Sequence, residues 1–136
     1  MDRTVLELEQ LRLQYPGSNN WTLDGLDLRL EAGETLALVG SSGCGKSTVA
    51  RAVLQLLPPG TRCEGSLRLT GEDPRQLKRA ELRQLRGRAA GLVFQDPMTR
   101  LNPLLSAGGH LMDTLRAHRP ERAAAWHRRR SEELLE

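Results

Sequence analysis

Hydrophobic and polar positions alternate in the first half of the chain in the way expected of a small β-sheet. Residues 4–13 alternate and then slip by one position between Leu8 and Leu11, which predicts one bulged strand or two strands. Two further alternating segments, 26–30 and 67–69, predict half-buried strands. Turn-forming residues separate the segments, so the strands are expected to be short and joined by tight connections.

Two short apolar runs, 35–39 and 91–94, show no such alternation. A strand that is covered on both faces carries apolar side chains on both. Each run therefore predicts a buried strand.

A helical period follows the first of these runs. It begins at Lys46 and continues to Leu57, where Pro58-Pro59-Gly60 stops it. A charged helix is predicted over residues 75–86. The chain after residue 104 is predicted to be helical, with a break at Pro120.

The composition describes a chain that can form one domain. Its 136 residues are too few for two domains with sizeable cores, and 38% of them are hydrophobic. Aromatic residues make up only 3%, so leucine is expected to build most of the core. No apolar run approaches the roughly 18 residues that a membrane span needs, and the first residues lack the features of a secretory signal. An integral membrane protein and a secreted protein are both disfavoured.

Charge argues against nucleic acid as a partner. The net charge is +3 at pH 7, with positive and negative side chains interleaved over most of the chain. The clearest basic cluster is 127–130, with only Trp126 beside it to stack on a base. Because nucleic-acid binders usually combine a basic face with several aromatics, the cluster is interpreted as a solvated helix face.

A glycine- and serine-rich loop carries the clearest chemistry. It matches the pattern of a glycine, four residues and Gly-Lys-Ser/Thr with Gly40, Ser41, Ser42, Gly43, Cys44, Gly45, Lys46, Ser47 and Thr48. Glycines permit the backbone angles that wrap amide N–H groups around a phosphate, and the following helix turns its N-terminus toward the anion. Lys46 supplies a charge for the β- and γ-phosphates, Ser47 a hydroxyl for Mg²⁺, and Thr48 a donor near the α-phosphate.

This phosphate-loop pattern is specific enough to predict nucleoside triphosphate binding. With the chain's own residue frequencies, a chance match occurs in roughly one chain in 500. A predicted strand precedes the loop and a predicted helix follows it, as the motif requires. The loop does not identify the reaction, because kinases, GTPases, helicases and transport ATPases all contain one.

A second segment indicates which class of phosphate-loop protein this chain resembles. Residues 86–118 resemble the Q-loop region of ABC transporter ATP-binding subunits. Within them, 94–99 (Phe-Gln-Asp-Pro-Met-Thr) and 101–103 (Leu-Asn-Pro) resemble the subunits that energise oligopeptide, dipeptide and nickel importers. Shorter upstream phrases also resemble this family, at 23–26, 32–34, 57–60 and 65–67. The similarity covers essentially the whole chain.

The resemblance implies an α/β fold, the P-loop NTPase fold of an ABC-type nucleotide-binding domain. Residues 1–96 are expected to form the N-terminal part of the ATPase core, with an antiparallel β-subdomain and the start of a RecA-like core. Residues 97–136 are expected to begin the helical subdomain. The family's signature motif, its strand ending in Asp-Glu and its switch histidine do not occur in the 136 residues. The chain is therefore expected to be the N-terminal half of a longer gene product, with no catalytic residue of its own.

The resemblance also implies roles for single residues, with ATP and Mg²⁺ as cofactors. Tyr15 matches the aromatic residue that stacks on adenine, the alternative being a turn residue that covers the strand edge. Trp21 is a weaker candidate for stacking. Gln95 matches the Q-loop glutamine, which senses the γ-phosphate and joins Ser47 as a ligand of Mg²⁺. Asp96 belongs to the loop that faces the membrane subunits and is not expected to be catalytic.

A few residues with reactive or unusual side chains are interpreted without a role in the nucleotide chemistry. Cys44 and Cys63 are too few for a disulfide framework or a zinc site and are expected to be reduced thiols. The lone histidines are expected at the surface. Three departures from the importer pattern bear on the membrane partner rather than on the nucleotide site: Arg100, His110 and Asp113.

The sequence predicts an ATP-binding subunit of an ABC-type importer, or its N-terminal fragment, that couples ATP binding and hydrolysis to transport of peptides or nickel. The expected partners are membrane subunits and a second ATP-binding subunit, at the cytoplasmic face of a bacterial-type plasma membrane. One alternative is a natural half-domain that binds nucleotide without hydrolysis. The other is a soluble ABC-type ATPase of DNA repair or translation, which the importer-like stretch 97–103 disfavours.

Overall fold

A computed structural model describes residues 3–96, 99 and 101–136. The chain divides into two units, Met1–Gly91 and Leu92–Glu136. The first contains β1 (Thr4–Gln14), β2 (Leu23–Glu31), α1 (Lys46–Val53), β3 (Arg62–Leu69) and α2 (Arg79–Arg88). The second contains α3 (Ala107–His118) and α4 (Ala124–Glu133). Within the described ranges, none of the helices combines the length and apolarity needed to cross a bilayer.

The three strands form one antiparallel sheet in the order β2-β1-β3. The register of β1 with both neighbours shifts around Gln10, whose φ is 48°. The Asp27 carboxylate accepts hydrogen bonds from the backbone N–H and from the side-chain amide of Gln10, each at 2.6 Å. The polar groups of Gln10 thus find hydrogen-bond partners where the hydrogen bonds between the strands are interrupted. The predicted bulged strand is confirmed.

Leucine builds the core of the first unit, as the composition predicts. The buried cluster joins residues of all three strands with residues of α1 and α2: Leu8, Leu11, Leu13, Leu23, Val49, Ala52, Val53, Leu67, Leu69 and Leu85. Alternate positions of β1, such as Glu9 and Arg12, are exposed. The sheet therefore buries one face, and the apolar alternation found in the sequence marks that face.

Helix α1 begins at Lys46 as predicted but ends at Val53, earlier than the periodicity predicts. Gln55 adopts a left-handed φ of 53° that interrupts the helix. The Arg86 guanidinium then donates to the carbonyl oxygens of Leu54 and Gln55 at 2.8 and 2.7 Å. The carbonyls at the end of the helix are satisfied by a distant side chain, and a local pattern contains no information about such a contact.

The two apolar runs predicted as buried strands are not strands. Residues 34–40 and 91–94 have no regular secondary structure, and Val39 and Val93 are 89% and 91% exposed. A buried strand needs hydrogen-bonding neighbours, and neither run pairs with the three-stranded sheet, which is the only sheet of the described residues. The prediction was wrong for this chain because apolar side chains alone do not supply neighbouring strands.

In the second unit, α3 and α4 pack against each other and the chain breaks between them near Pro120, as predicted. The prediction of a solvated face at 127–130 is confirmed for the three arginines and wrong for His127. That histidine is 3% exposed, and its Nε2 lies 2.9 Å from the carbonyl oxygen of Arg119. The buried imidazole thus has a carbonyl acceptor in the connection that follows α3.

Candidate functional site

The predicted phosphate loop ends at the N-terminus of α1, where Gly45 is the residue that precedes the helix. Gly45 is buried and has a φ of 94°. A Cβ on this residue would lie 2.6 Å from Leu23 Cδ2 and 3.0 Å from the carbonyl oxygen of Thr22. Only glycine therefore allows the loop to lie against the start of β2 without strain.

Three amide groups at this helix end have no hydrogen-bond acceptor among the described residues. The N–H groups of Gly45, Lys46 and Ser47 donate to no acceptor among the described residues, whereas those of Thr48 and Val49 donate to the Gly45 carbonyl at 2.9 and 3.1 Å. Unpaired N–H groups and the positive end of the helix dipole together favour an anion.

Lys46 holds its ammonium group against the loop. Its Nζ donates to the carbonyl oxygens of Gly40 and Ser41 at 2.7 and 2.6 Å, and it lies 3.5 Å from Cys44 Sγ. These partners are uncharged, and no carboxylate of the described residues forms an ion pair with Lys46. The positive charge is positioned but not neutralised, so it reinforces the preference for an anion.

Tyr15 approaches the loop from the end of β1. Its hydroxyl oxygen lies 3.2 Å from Thr48 Oγ1, and its half-buried ring packs against the core. Thr48 is 7% exposed and belongs to the first turn of α1. The structure thus brings together the predicted adenine contact and the predicted α-phosphate donor, a contact that the sequence analysis missed and that no local signal indicates.

Trp21, the weaker stacking candidate, has other partners. The guanidinium carbons of Arg12 and Arg62 lie 5.9 and 5.1 Å from its ring centroid. Arg12 also pairs with Asp24 at 2.9 Å. Cation–π contacts of this kind are typical of a packing residue at the edge of a sheet.

The donor set for Mg²⁺ is sparse. The described residues contain no group of three or more His, Cys, Asp or Glu side chains that could hold a metal ion. Mg²⁺ at a nucleotide site usually takes one or two protein ligands and completes its shell with phosphate oxygens and waters. The exposed Ser47 hydroxyl, on the first turn of α1, fits that requirement.

Gln95 belongs to the second unit, where residues 95–96 form an exposed bend. The run 91–94 before it is not the strand that was expected to position it, so its role at the γ-phosphate stays a prediction. Asp96 accepts a hydrogen bond at its carbonyl from Thr99 Oγ1 at 3.0 Å. Three residues of the importer-like stretch lie outside the described residues: Pro97, Met98 and Arg100.

One charge pair of the first unit, outside the loop, shifts the pKa values of both its partners. Arg75 pairs with Asp73, with a shortest N–O distance of 2.6 Å, and donates to the Gly65 carbonyl at 3.0 Å. The hydrogen bond from the Arg75 side chain holds the pKa of Asp73 below its ordinary value, and the same bond raises the pKa of Arg75. The sequence analysis did not predict this ion pair.

Comparison with known proteins places this site in a family. A family model described as "ABC transporter" matches residues 23–136. A probable D,D-dipeptide transport ATP-binding protein of Escherichia coli K12 is 41% identical over 124 residues, which cover 88% of this chain and 38% of that protein. An oligopeptide transport ATP-binding protein of Mycobacterium tuberculosis H37Rv is 41% identical over 134 residues, covering 97% of this chain and 22% of that protein.

A third relative agrees with these two. It is an oligopeptide transport ATP-binding protein of Bacillus subtilis 168, 36% identical over 137 residues, with coverage of 97% of this chain and 38% of the relative. The chain thus spans about a fifth to two fifths of the length of these relatives. The family match includes the phosphate loop and all of the chain that follows it. The predicted α/β P-loop NTPase fold is confirmed, and the chain belongs to the ABC transporter family as part of its nucleotide-binding domain.

Proposed function

We propose that this chain provides the ATP-binding part of a subunit that energises an ABC-type importer. The observation that carries the proposal is the donor arrangement at the start of α1. The Lys46 ammonium group has no carboxylate partner among the described residues and donates to carbonyl oxygens of the loop, at whose end three N–H groups have no acceptor among those residues. Such a cluster of donors favours a multiply charged phosphate chain.

Each predicted site residue has a place in this proposal. The loop Gly40–Thr48 holds the phosphates, and Ser47 supplies the protein ligand of Mg²⁺. Tyr15 contacts adenine, and Gln95 senses the γ-phosphate and contributes to Mg²⁺ coordination. Bound ATP supplies the phosphoanhydride bond whose hydrolysis drives transport.

The names of the relatives support a proposal for the cargo and the partners. Two of the relatives are named as oligopeptide transport proteins and one as a D,D-dipeptide transport protein, which supports peptides as cargo; nickel is the second candidate. We propose that membrane subunits and a second ATP-binding subunit are the partners, at the cytoplasmic face of the membrane. Co-sedimentation with membranes, and not with DNA or ribosomes, separates this proposal from that of a soluble ABC-type ATPase.

Replacement of Lys46 tests the phosphate site. We expect Lys46→Ala to abolish measurable ATP binding, a loss of about 100-fold or more, because charged hydrogen bonds to phosphate are lost. The measurement is calorimetric titration with ATP and Mg²⁺ of the native-length protein, which is the protein at the length at which it occurs in its source cells. Lys78→Ala removes the only other lysine, which is exposed on the approach to α2, and should leave the affinity unchanged. Undiminished ATP affinity in Lys46→Ala would refute the phosphate-site assignment.

We also propose that the chain is the N-terminal part of a longer subunit. Two observations support this: the matched relatives are longer, and apolar residues in the runs 35–39 and 91–94 are exposed. A natural half-domain that binds ATP without hydrolysis is the alternative, favoured by the lack of a signature motif and of an Asp-Glu strand end in the 136 residues.

A further inference from the structure

The hydroxyl group of Tyr15 makes a contact that adenine stacking does not require. Stacking uses the face of the ring, whereas the hydroxyl projects from its edge. In this structure the hydroxyl oxygen lies 3.2 Å from Thr48 Oγ1 and links the end of β1 to the first turn of α1.

Both partners of this contact are held in place by their surroundings. The Tyr15 carbonyl accepts the Ser18 N–H at 3.1 Å, and the ring packs against the core. The Thr48 N–H donates to the Gly45 carbonyl at 2.9 Å, and the residue is 7% exposed. A helical threonine often turns its hydroxyl back to a carbonyl of the preceding turn, but here the hydroxyl pairs with Tyr15.

The chemistry of phosphate sets the direction of this hydrogen bond. Phosphate oxygens only accept, so Thr48 must donate its single hydroxyl proton to contact one. The Thr48 oxygen is then left to accept, and the Tyr15 hydroxyl is the donor beside it. A chain from Tyr15 to Thr48 to phosphate satisfies all three groups, and each bond polarises the next.

We propose that Tyr15 is a positioning residue for the phosphate end of the nucleotide, because its hydroxyl orients the Thr48 hydroxyl toward the phosphates. This inference rests on the proposed function and extends it. The role is separate from the contact of the ring with adenine. It couples the base end and the phosphate end of the site through one hydrogen bond.

A double-mutant cycle on the native-length protein tests the coupling. Tyr15→Phe keeps the ring and removes the hydroxyl, and we expect it to raise the Kd for ATP about 3- to 10-fold. In the Thr48→Val background the same change should raise the Kd less than about twofold, since the partner is already absent. The Kd for adenosine, which has no phosphate, should be the same in Tyr15→Phe as in the parent protein.

Matched variants separate positioning from a structural effect. Thr61→Val removes a threonine hydroxyl that donates to the Pro58 carbonyl at 2.7 Å outside the loop, and the Kd for ATP should not change. Thr48→Ser keeps a hydroxyl and should preserve the full effect of Tyr15→Phe. Tyr15→Ala removes the ring as well and should weaken binding of both ATP and adenosine.

Two results would overturn the inference. One is an equal loss from Tyr15→Phe in the parent and Thr48→Val backgrounds, and the other is an equal loss for ATP and adenosine. If Thr48→Val does not fold, as judged by circular dichroism, the adenosine comparison decides alone. Lys46→Ala, measured in parallel, distinguishes a failure of the proposed function from a failure of this inference. Unchanged ATP binding in Lys46→Ala refutes the proposed function itself. If Lys46→Ala does not bind ATP but the effects of Tyr15→Phe and Thr48→Val are additive, only the positioning role is refuted.

Discussion

At the scale of single residues, an ion pair between Asp73 and Arg75 connects the segment after β3 to β3 itself. The Asp73 carboxylate accepts hydrogen bonds from the Arg75 backbone N–H at 2.9 Å and from its guanidinium at 2.6 Å. The same guanidinium donates to the carbonyl of Gly65 within β3. The two side chains are 18% and 25% exposed, so solvent screens the pair only in part. One ion pair thereby anchors the approach to α2.

We expect Asp73→Asn to lower the free energy of unfolding by about 1 kcal/mol near neutral pH, since a charge-assisted bond is lost. The folded-state pKa of Asp73 lies below its ordinary value of 3.8. The stabilisation is therefore present above that ordinary value and is lost as the pH falls through the folded-state pKa. Urea denaturation should separate parent and variant at about pH 7 and show them converging as the pH falls through the folded-state pKa.

The control for this prediction is Asp113→Asn. Asp113 pairs with Arg116 at 3.6 Å, and both side chains are more than half exposed. Its loss should change stability by less than about 0.5 kcal/mol. A difference between Asp73→Asn and the parent that persists unchanged at acid pH would contradict the assignment.

At the scale of elements, the bulge of β1 depends on a glycine in its neighbour. Gly65 of β3 has a φ of 85°, and a Cβ there would collide with the backbone carbonyl of Gln10. Gln10 is itself tied to Asp27 of β2. The irregular middle of the sheet is thus one unit built from all three strands, and a backbone atom cannot move aside as a flexible side chain does.

Alanine at two glycines with the same backbone angle tests this close approach. Gly65 and Gly71 have φ values of 85° and 84°, but a Cβ on Gly71 would meet nothing within 4 Å. We expect Gly71→Ala to cost about 1 kcal/mol of stability from strain alone, and Gly65→Ala about 3 kcal/mol or more. Thermal or urea denaturation measures both, and equal losses would show that the sheet accommodates the added methyl group.

At the scale of the whole molecule, the chain contains a three-stranded sheet and two apolar runs, 35–39 and 91–94, that have no partner strand among the described residues. Leu36 and Leu38 are 45% and 43% exposed, and Val93 is 91% exposed. Exposed apolar segments of this kind tend to be covered by further chain. The matched relatives, which are longer, have chain available for such coverage.

We therefore expect the native protein to be longer than this chain. Its intact mass in the source cells, measured by top-down mass spectrometry, should be at least about twice the 15.1 kDa of the 136 residues. A mass of 15.1 kDa would instead establish the half-domain and make ATP binding without hydrolysis the working model.

The sequence-based predictions were correct where a feature depends on residues close together in the sequence, and wrong where it depends on residues from other elements. The bulge between Leu8 and Leu11 and the start of α1 at Lys46 were both predicted, because each depends on residues a few positions apart. The end of α1 and the burial of His127 were not, because the contacts to Arg86 and to the Arg119 carbonyl come from other elements.

The sequence by itself determined which groups the loop offers: the glycines, one lysine and two hydroxyls at the start of a helix predict a phosphate site through local backbone geometry. Only the tertiary structure decided that Tyr15 meets Thr48 across 33 residues and that the runs 35–39 and 91–94 form no strand. The physical reason is that a local pattern sets which groups a segment offers, whereas packing of the whole chain decides which partners those groups find.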